Sequence, residues 1–153
     1  MSNLFEPIPY GLWKEDKQAF ARQLGNSFRE TGFAVITGHP VDQSVIDKAN
    51  EAAKSFFALP EDAKEKYHDA AGGRQRGYTP FATENAKGQK AADLKEFWHT
   101  GRKLPEGSQY RETMKDTPAV DEVSDFDAAT YAFYEEMDAF GRDLLRAVAL
   151  HLE

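Results

Sequence analysis

Cysteine is absent from this chain of 153 residues, which excludes disulfides, thiolate metal sites and cysteine nucleophiles. A cytoplasmic location agrees with that absence. No apolar run approaches the roughly 20 residues of a membrane span. The first residues, Met1 to Pro9, lack the basic stretch and apolar run of a secretory signal, so none is expected. An excess of positive charge is also missing: 19 Lys and Arg stand against 26 Asp and Glu, for a net charge of −7. An acidic surface repels phosphate backbones and anionic lipid, so neither nucleic acid nor membrane is expected as a partner. The basic clusters Arg22/Arg29, Arg74/Arg76 and Arg102/Lys103 are too small to reverse this. Internal repeats and low-complexity segments are lacking as well. The length suits one domain with a real core.

The hydrophobic pattern predicts helices with a few strands. Trp13, Phe20, Leu24 and Phe28 recur at helical spacing over 14–31, and Gly32 reads as the left-handed cap that ends this helix. The run 33–37 is short, apolar and β-branched, which predicts a buried strand. Ile46, Ala49, Ala53 and Phe56 mark a second helix, capped by Asp42 or Ser44. Pro60 suits the first turn of a short helix over 60–67. From Asp69 to Lys90, Gly72, Gly73, Gly77, Pro80 and Gly88 predict a loop-rich stretch. An aromatic-rich strand is expected over 94–100. Phe126, Phe133, Met137, Phe140, Leu144 and Val148 then predict a long amphipathic helix from Asp125. The chain stops inside that pattern without a glycine or proline stop signal, so it is expected to be truncated. With part of its packing partner lost, the isolated chain is expected to self-associate.

Four histidines are present: His39, His68, His99 and His151. His151-Leu152-Glu153 has the His-X-carboxylate spacing of a 2-His-1-carboxylate iron site. On a helix those side chains point about 200° apart and cannot grip one metal, so packing is the reading adopted. Glu65/His68 and Glu96/His99 are two Glu-x-x-His pairs, the spacing used on helices of di-iron bundles. The second pair falls in the expected strand, where residues three apart face opposite sides. Arg74 and Arg76 lie among glycines, either as a surface turn or as a loop that brings two guanidinium groups to a carboxylate. Tyr78, Phe81, Phe97 and Trp98 either line an apolar pocket or form core.

Several segments, in order along nearly the whole chain, resemble the N-terminal region of the isopenicillin N synthase-like Fe(II)/2-oxoglutarate dioxygenases. They are Phe28 to Phe33, Gly38-His39-Pro40, Phe56 to Pro60, Glu65-Lys66-Tyr67, Arg76 to Pro80, Glu84 to Gly88, Asp93 to His99, and Leu144 to Leu152. The resemblance implies an α+β fold over 1–153: the N-terminal part of a double-stranded β-helix (jelly-roll) oxygenase, with the jelly-roll core absent from this chain. A jelly roll of about eight strands needs on the order of a hundred further residues. It implies Fe(II) and 2-oxoglutarate as cofactors of the full-length enzyme, none of them held by this stretch, which alone is expected to be inactive. No iron ligand or 2-oxoglutarate anchor carries over to any position here. By the same resemblance, Arg74, Arg76, Tyr78 and Glu84 are the expected substrate-side residues, facing an anionic small molecule, and His39 is structural. The implied reaction is hydroxylation, desaturation or ring closure. The alternatives are a non-catalytic helical interaction domain and a di-iron carboxylate protein.

Overall fold

The computed structural model describes residues 6–70, 73, 75–84 and 91–153. They form five helices and four short strands: β1 (Ile8–Pro9), α1 (Gly11–Glu15), α2 (Lys17–Thr31), β2 (Ile36–Thr37), α3 (Gln43–Phe57), α4 (Glu61–Glu65), β3 (Gly77–Thr79), β4 (Phe97–His99) and α5 (Phe126–Leu152). The architecture is mixed α and β. Among the described residues there is no closed barrel, and no helix is long and apolar enough to cross a membrane. The chain divides into two compact units, 1–43 with 135–153, and 44–134.

In the first unit, the expected helix over 14–31 is two helices. Asp16 breaks the run, and its carboxylate accepts the Ala19 N–H at 2.9 Å, capping α2. Gly32 closes α2 at φ 78°, and its N–H donates to Phe28 O at 2.9 Å, as the left-handed cap requires. The strand expected over 33–37 is shorter and less buried than its apolar composition suggests. Only Ile36–Thr37 pairs, in parallel with Ile8–Pro9, and Phe33 is 68% exposed. The partner is bounded by Pro7 and Pro9, which have no N–H to lengthen the ladder. Ile8 and Tyr10 donate across it, to Val35 O and Thr37 O, both at 2.8 Å.

The core of this unit gathers Tyr10, Trp13, Phe20, Leu24, Phe140 and Ala147. Tyr10 meets Phe20 and Phe140 edge to face, and its hydroxyl donates to Asp143 at 2.7 Å. Burial, then that bond, pushes the Tyr10 phenol up to about 12. His39, read as structural, lays its ring 6.1 Å from that of Phe140. His151 packs on α2: a Cβ on Gly25 would lie 2.2 Å from its ring. The glycine is what lets the imidazole approach.

In the second unit, α3 buries Ala49, Ala52 and Phe56. Pro60 precedes α4, as its fixed φ allows. The stretch expected to be loop-rich from Asp69 to Lys90 contains β3, and the aromatic strand is reduced to β4. The two pair antiparallel with Tyr78 opposite Trp98, so both side chains take one face. That face joins Phe56, Tyr67, Val120 and Phe126 in one core. The long helix forms as its periodicity predicts, with Phe126 buried in this unit and Phe140 in the other.

The Gly25–His151 contact makes a direct test. Gly25→Ala adds helix propensity but forces the imidazole aside, and overpacking of this kind costs about 1–3 kcal/mol. We expect a lower melting temperature for Gly25→Ala and recovery when His151→Ala is added. Equal losses in the single and double variants would show that the ring is not what the new methyl meets.

Candidate functional site

Strand β3 and the residues around it hold several buried polar groups on which a site can be built. Tyr78 is 1% exposed, enclosed by Phe56 at 5.9 Å between ring centroids. Its hydroxyl donates to Glu96 Oε2 at 2.6 Å. Lys64, 7% exposed, reaches the same oxygen at 2.7 Å. The ammonium also donates to Phe57 O at 3.4 Å and stands 5.5 Å from the Tyr78 ring centroid. Burial, then Glu96, raises the Tyr78 phenol well above its usual range. A buried charge is tolerable only when paired and hydrogen-bonded, and this one is.

A second carboxylate fixes the chain beside β3. Glu122 accepts from the Tyr67 hydroxyl and from Lys66 at 2.7 Å, while the Tyr67 oxygen accepts the Asp121 N–H at 3.0 Å. The Lys66 bond first, then Tyr67, lowers the Glu122 carboxyl to about 2. Burial and the same bond raise Tyr67. Gly77 is needed here for two reasons. Its φ is 77°, and a Cβ would meet the Tyr67 carbonyl at 2.4 Å.

The substrate-side residues expected from the sequence are placed as follows. Arg76 enters β3 with its guanidinium laid on Gly101, where a Cβ would come within 1.8 Å of Nε. Its Nη1 donates to Gln75 O at 2.6 Å, and Nε is buried with no hydrogen-bond partner among the described residues. Glu84 is exposed and pairs with Lys95 at 2.9 Å; its carbonyl accepts the Asp93 N–H at 2.8 Å. Tyr78 is in the core, with its hydroxyl on Glu96. Arg74 lies outside the described residues. The two Glu-x-x-His pairs do not share a site: His68 Nδ1 lies 3.2 Å from Glu65, whereas Glu96 holds Lys64 and Tyr78. Among the described residues, no three His, Asp or Glu side chains are grouped to hold a metal ion. The described residues therefore do not offer the donor set of an iron centre.

Sequence reasoning did not single out Lys64, Tyr67 or Glu122. The signal available was slight: a lysine on the face of a short helix next to Phe56-Phe57, with its carboxylate 32 residues away.

Residues 7–121 match the family model described as non-haem dioxygenase in morphine synthesis N-terminal. Among solved structures, a 2OG-Fe(II) oxygenase family protein from Caulobacter crescentus is similar at a TM-score of 0.87 and 41% identity. The match covers 97% of this chain and 48% of that one. A full-length protein of Neurospora crassa, solved in complex with alpha-KG, shares the fold at a TM-score of 0.77 and 20% identity, over 96% of this chain and 46% of its own. The 2-oxoglutarate-Fe(II) type oxidoreductase ppzD of Metarhizium rileyi is 28% identical over 142 residues, which are 85% of this chain and 39% of its own length. The chain spans less than half the length of each of these relatives.

Two outcomes follow from the carboxylate clusters. Glu96→Ala leaves the Lys64 ammonium buried and unpaired, a change that costs about 3–5 kcal/mol. In urea unfolding, the double variant Lys64→Met/Glu96→Gln should regain most of that loss, because the amide still accepts from Tyr78. Additive losses would refute the pairing. For Glu122 the folded value lies below its ordinary 4.5, so its stabilisation is complete above that pH and is lost as pH falls toward about 2. Melting temperatures from pH 5 down to pH 2 (roughly the linkage window) should fall less steeply in Glu122→Gln than in wild type.

Proposed function

The chain belongs to the non-haem dioxygenase N-terminal family, and from that premise we propose that it is the substrate-facing part of an Fe(II)/2-oxoglutarate-dependent oxygenase. The likeness to the Caulobacter oxygenase over 97% of this chain, at 41% identity, carries the reading. In it, the complete protein oxidises a small molecule by hydroxylation, desaturation or ring closure. Fe(II) and 2-oxoglutarate are held, in this reading, by a jelly-roll core outside residues 1–153.

The contribution of this chain is then orientation and charge. Arg76 is a cation packed against Gly101, with Nη1 on the Gln75 carbonyl. A guanidinium pairs a carboxylate through two parallel hydrogen bonds. A preorganised one loses less freedom when it does so. Arg76 and Glu84 are the substrate-side residues of this reading, together with Arg74. Tyr78 takes part by holding β3 beneath Arg76 through its bond to Glu96.

The test is steady-state kinetics of the complete protein with Fe(II) and 2-oxoglutarate. Arg76→Ala should raise the KM of an anionic substrate by about tenfold or more, about 1.4 kcal/mol, with the 2-oxoglutarate KM unchanged. Gly101→Ala, which must displace the guanidinium, should shift the same parameter in the same direction. Absence of iron- and 2-oxoglutarate-dependent turnover would overturn the reaction. Wild-type KM in both variants would overturn the role of Arg76 alone.

A further inference from the structure

A second set of cations surrounds a small cavity in the same compact unit. The cavity has a volume of about 290 Å³, and its walls include Gly101, Lys103, Leu104, Arg111, Thr117 and Tyr131. One carboxylate, Asp116, also lines it, and that group is already paired with Arg111 Nη2 at 2.8 Å. Nη1 of Arg111 donates to Leu104 O at 2.7 Å, so its guanidinium is held at two points with further N–H groups left over. The Lys103 ammonium stands 3.9 Å from the Tyr131 ring centroid. A cation over an aromatic face is held there without being neutralised. Thr117 Oγ1 accepts the Gly101 N–H at 2.9 Å, and its own hydroxyl proton remains to be donated. The Arg76 guanidinium lies against Gly101, adding to the positive field. In a chain of net charge −7, this is a local excess of positive charge.

We propose that this cavity binds a small organic carboxylate. Lys103 and Thr117 are the donors to the carboxylate, and Arg111 supplies a fixed positive charge at the wall. Leu104 and the Tyr131 ring, itself stacked on Tyr134 at 5.9 Å, meet the apolar body of the ligand. That apolar wall favours an organic acid over an inorganic anion, which would leave it uncovered. A volume of about 290 Å³ suits a small acid. The inference rests on the cavity itself and not on the oxygenase reading, so ligand binding and turnover are scored separately.

The experiment is calorimetric titration of the complete, metal-depleted protein at low ionic strength with benzoate, using inorganic phosphate and benzylamine as comparison probes. Benzoate should bind one to one, weaken with added salt, and exceed phosphate in affinity. Benzylamine should not bind. Lys103→Met and Thr117→Val should each weaken benzoate by about tenfold, about 1.4 kcal/mol. Lys103 is an exposed side chain, so its variant should keep the wild-type melting temperature. No benzoate binding, unchanged binding in Lys103→Met, or tighter binding of phosphate would each overturn the assignment.

Discussion

Glu96 offers one carboxylate oxygen to two donors, the Lys64 ammonium at 2.7 Å and the Tyr78 hydroxyl at 2.6 Å. The three side chains come from α4, from β3 and from the residue before β4. Around them stand the rings of Phe56, Tyr67, Trp98 and Phe126. A buried ion pair is weak evidence of net stability, because desolvation offsets much of the attraction. Its effect here is on which pairing of β3 and β4 is allowed. Three residues per strand give little ladder to define a register, and a slip of one residue would turn Tyr78 to the opposite face. The phenol would lose Glu96, and the ammonium and carboxylate would be left to each other in a low dielectric. The polar contact thus supplies the specificity that so short a sheet cannot.

From that fixed strand the constraint passes to the residues at its ends through glycine. At Gly77 the backbone needs positive φ and closes against the Tyr67 carbonyl. Tyr67 is in turn tied to Glu122 and to the Asp121 N–H. At Gly101, past the end of β4, the missing side chain makes room for the Arg76 guanidinium. Arg76 therefore differs from an ordinary surface arginine. Its stem is fixed by β3 and its planar head by Gly101, so little rotamer freedom remains to be lost when it meets an anion.

The helices were legible in the sequence because their burial repeats over many residues. Phe126 and Phe140 in α5, and Phe20 and Leu24 in α2, stand where a 3.6-residue period places them. The cap at Gly32 was legible because positive φ leaves few residues to choose from. Local signals failed where the deciding partner is distant in the chain. The run 33–37 has strand composition, yet its length is set by Pro7 and Pro9 in the partner strand. Strand β3 hides among glycines because three residues are too few to show alternation. Of the expected site residues, Arg76 and Glu84 stand just before and beyond β3, whereas Tyr78 is enclosed with its hydroxyl on Glu96. A tyrosine in that motif satisfies a pocket and a core equally well until its partner 18 residues on is known.

The charge distribution gives the last constraint. The chain as a whole carries a net charge of −7, which repels anions at long range. That repulsion is screened over about 8–10 Å at ordinary salt, so an anion already near the surface responds mainly to the nearest groups. Near Gly101 those groups include Arg76, Lys103 and Arg111, with Asp116 as the carboxylate lining the cavity. In the proposed complex a small acid is held there by short-range contacts. Near Gly101 the Arg76 guanidinium lies where a side chain would otherwise stand, and the register that carries Arg76 there is kept by the bond of Tyr78 to Glu96.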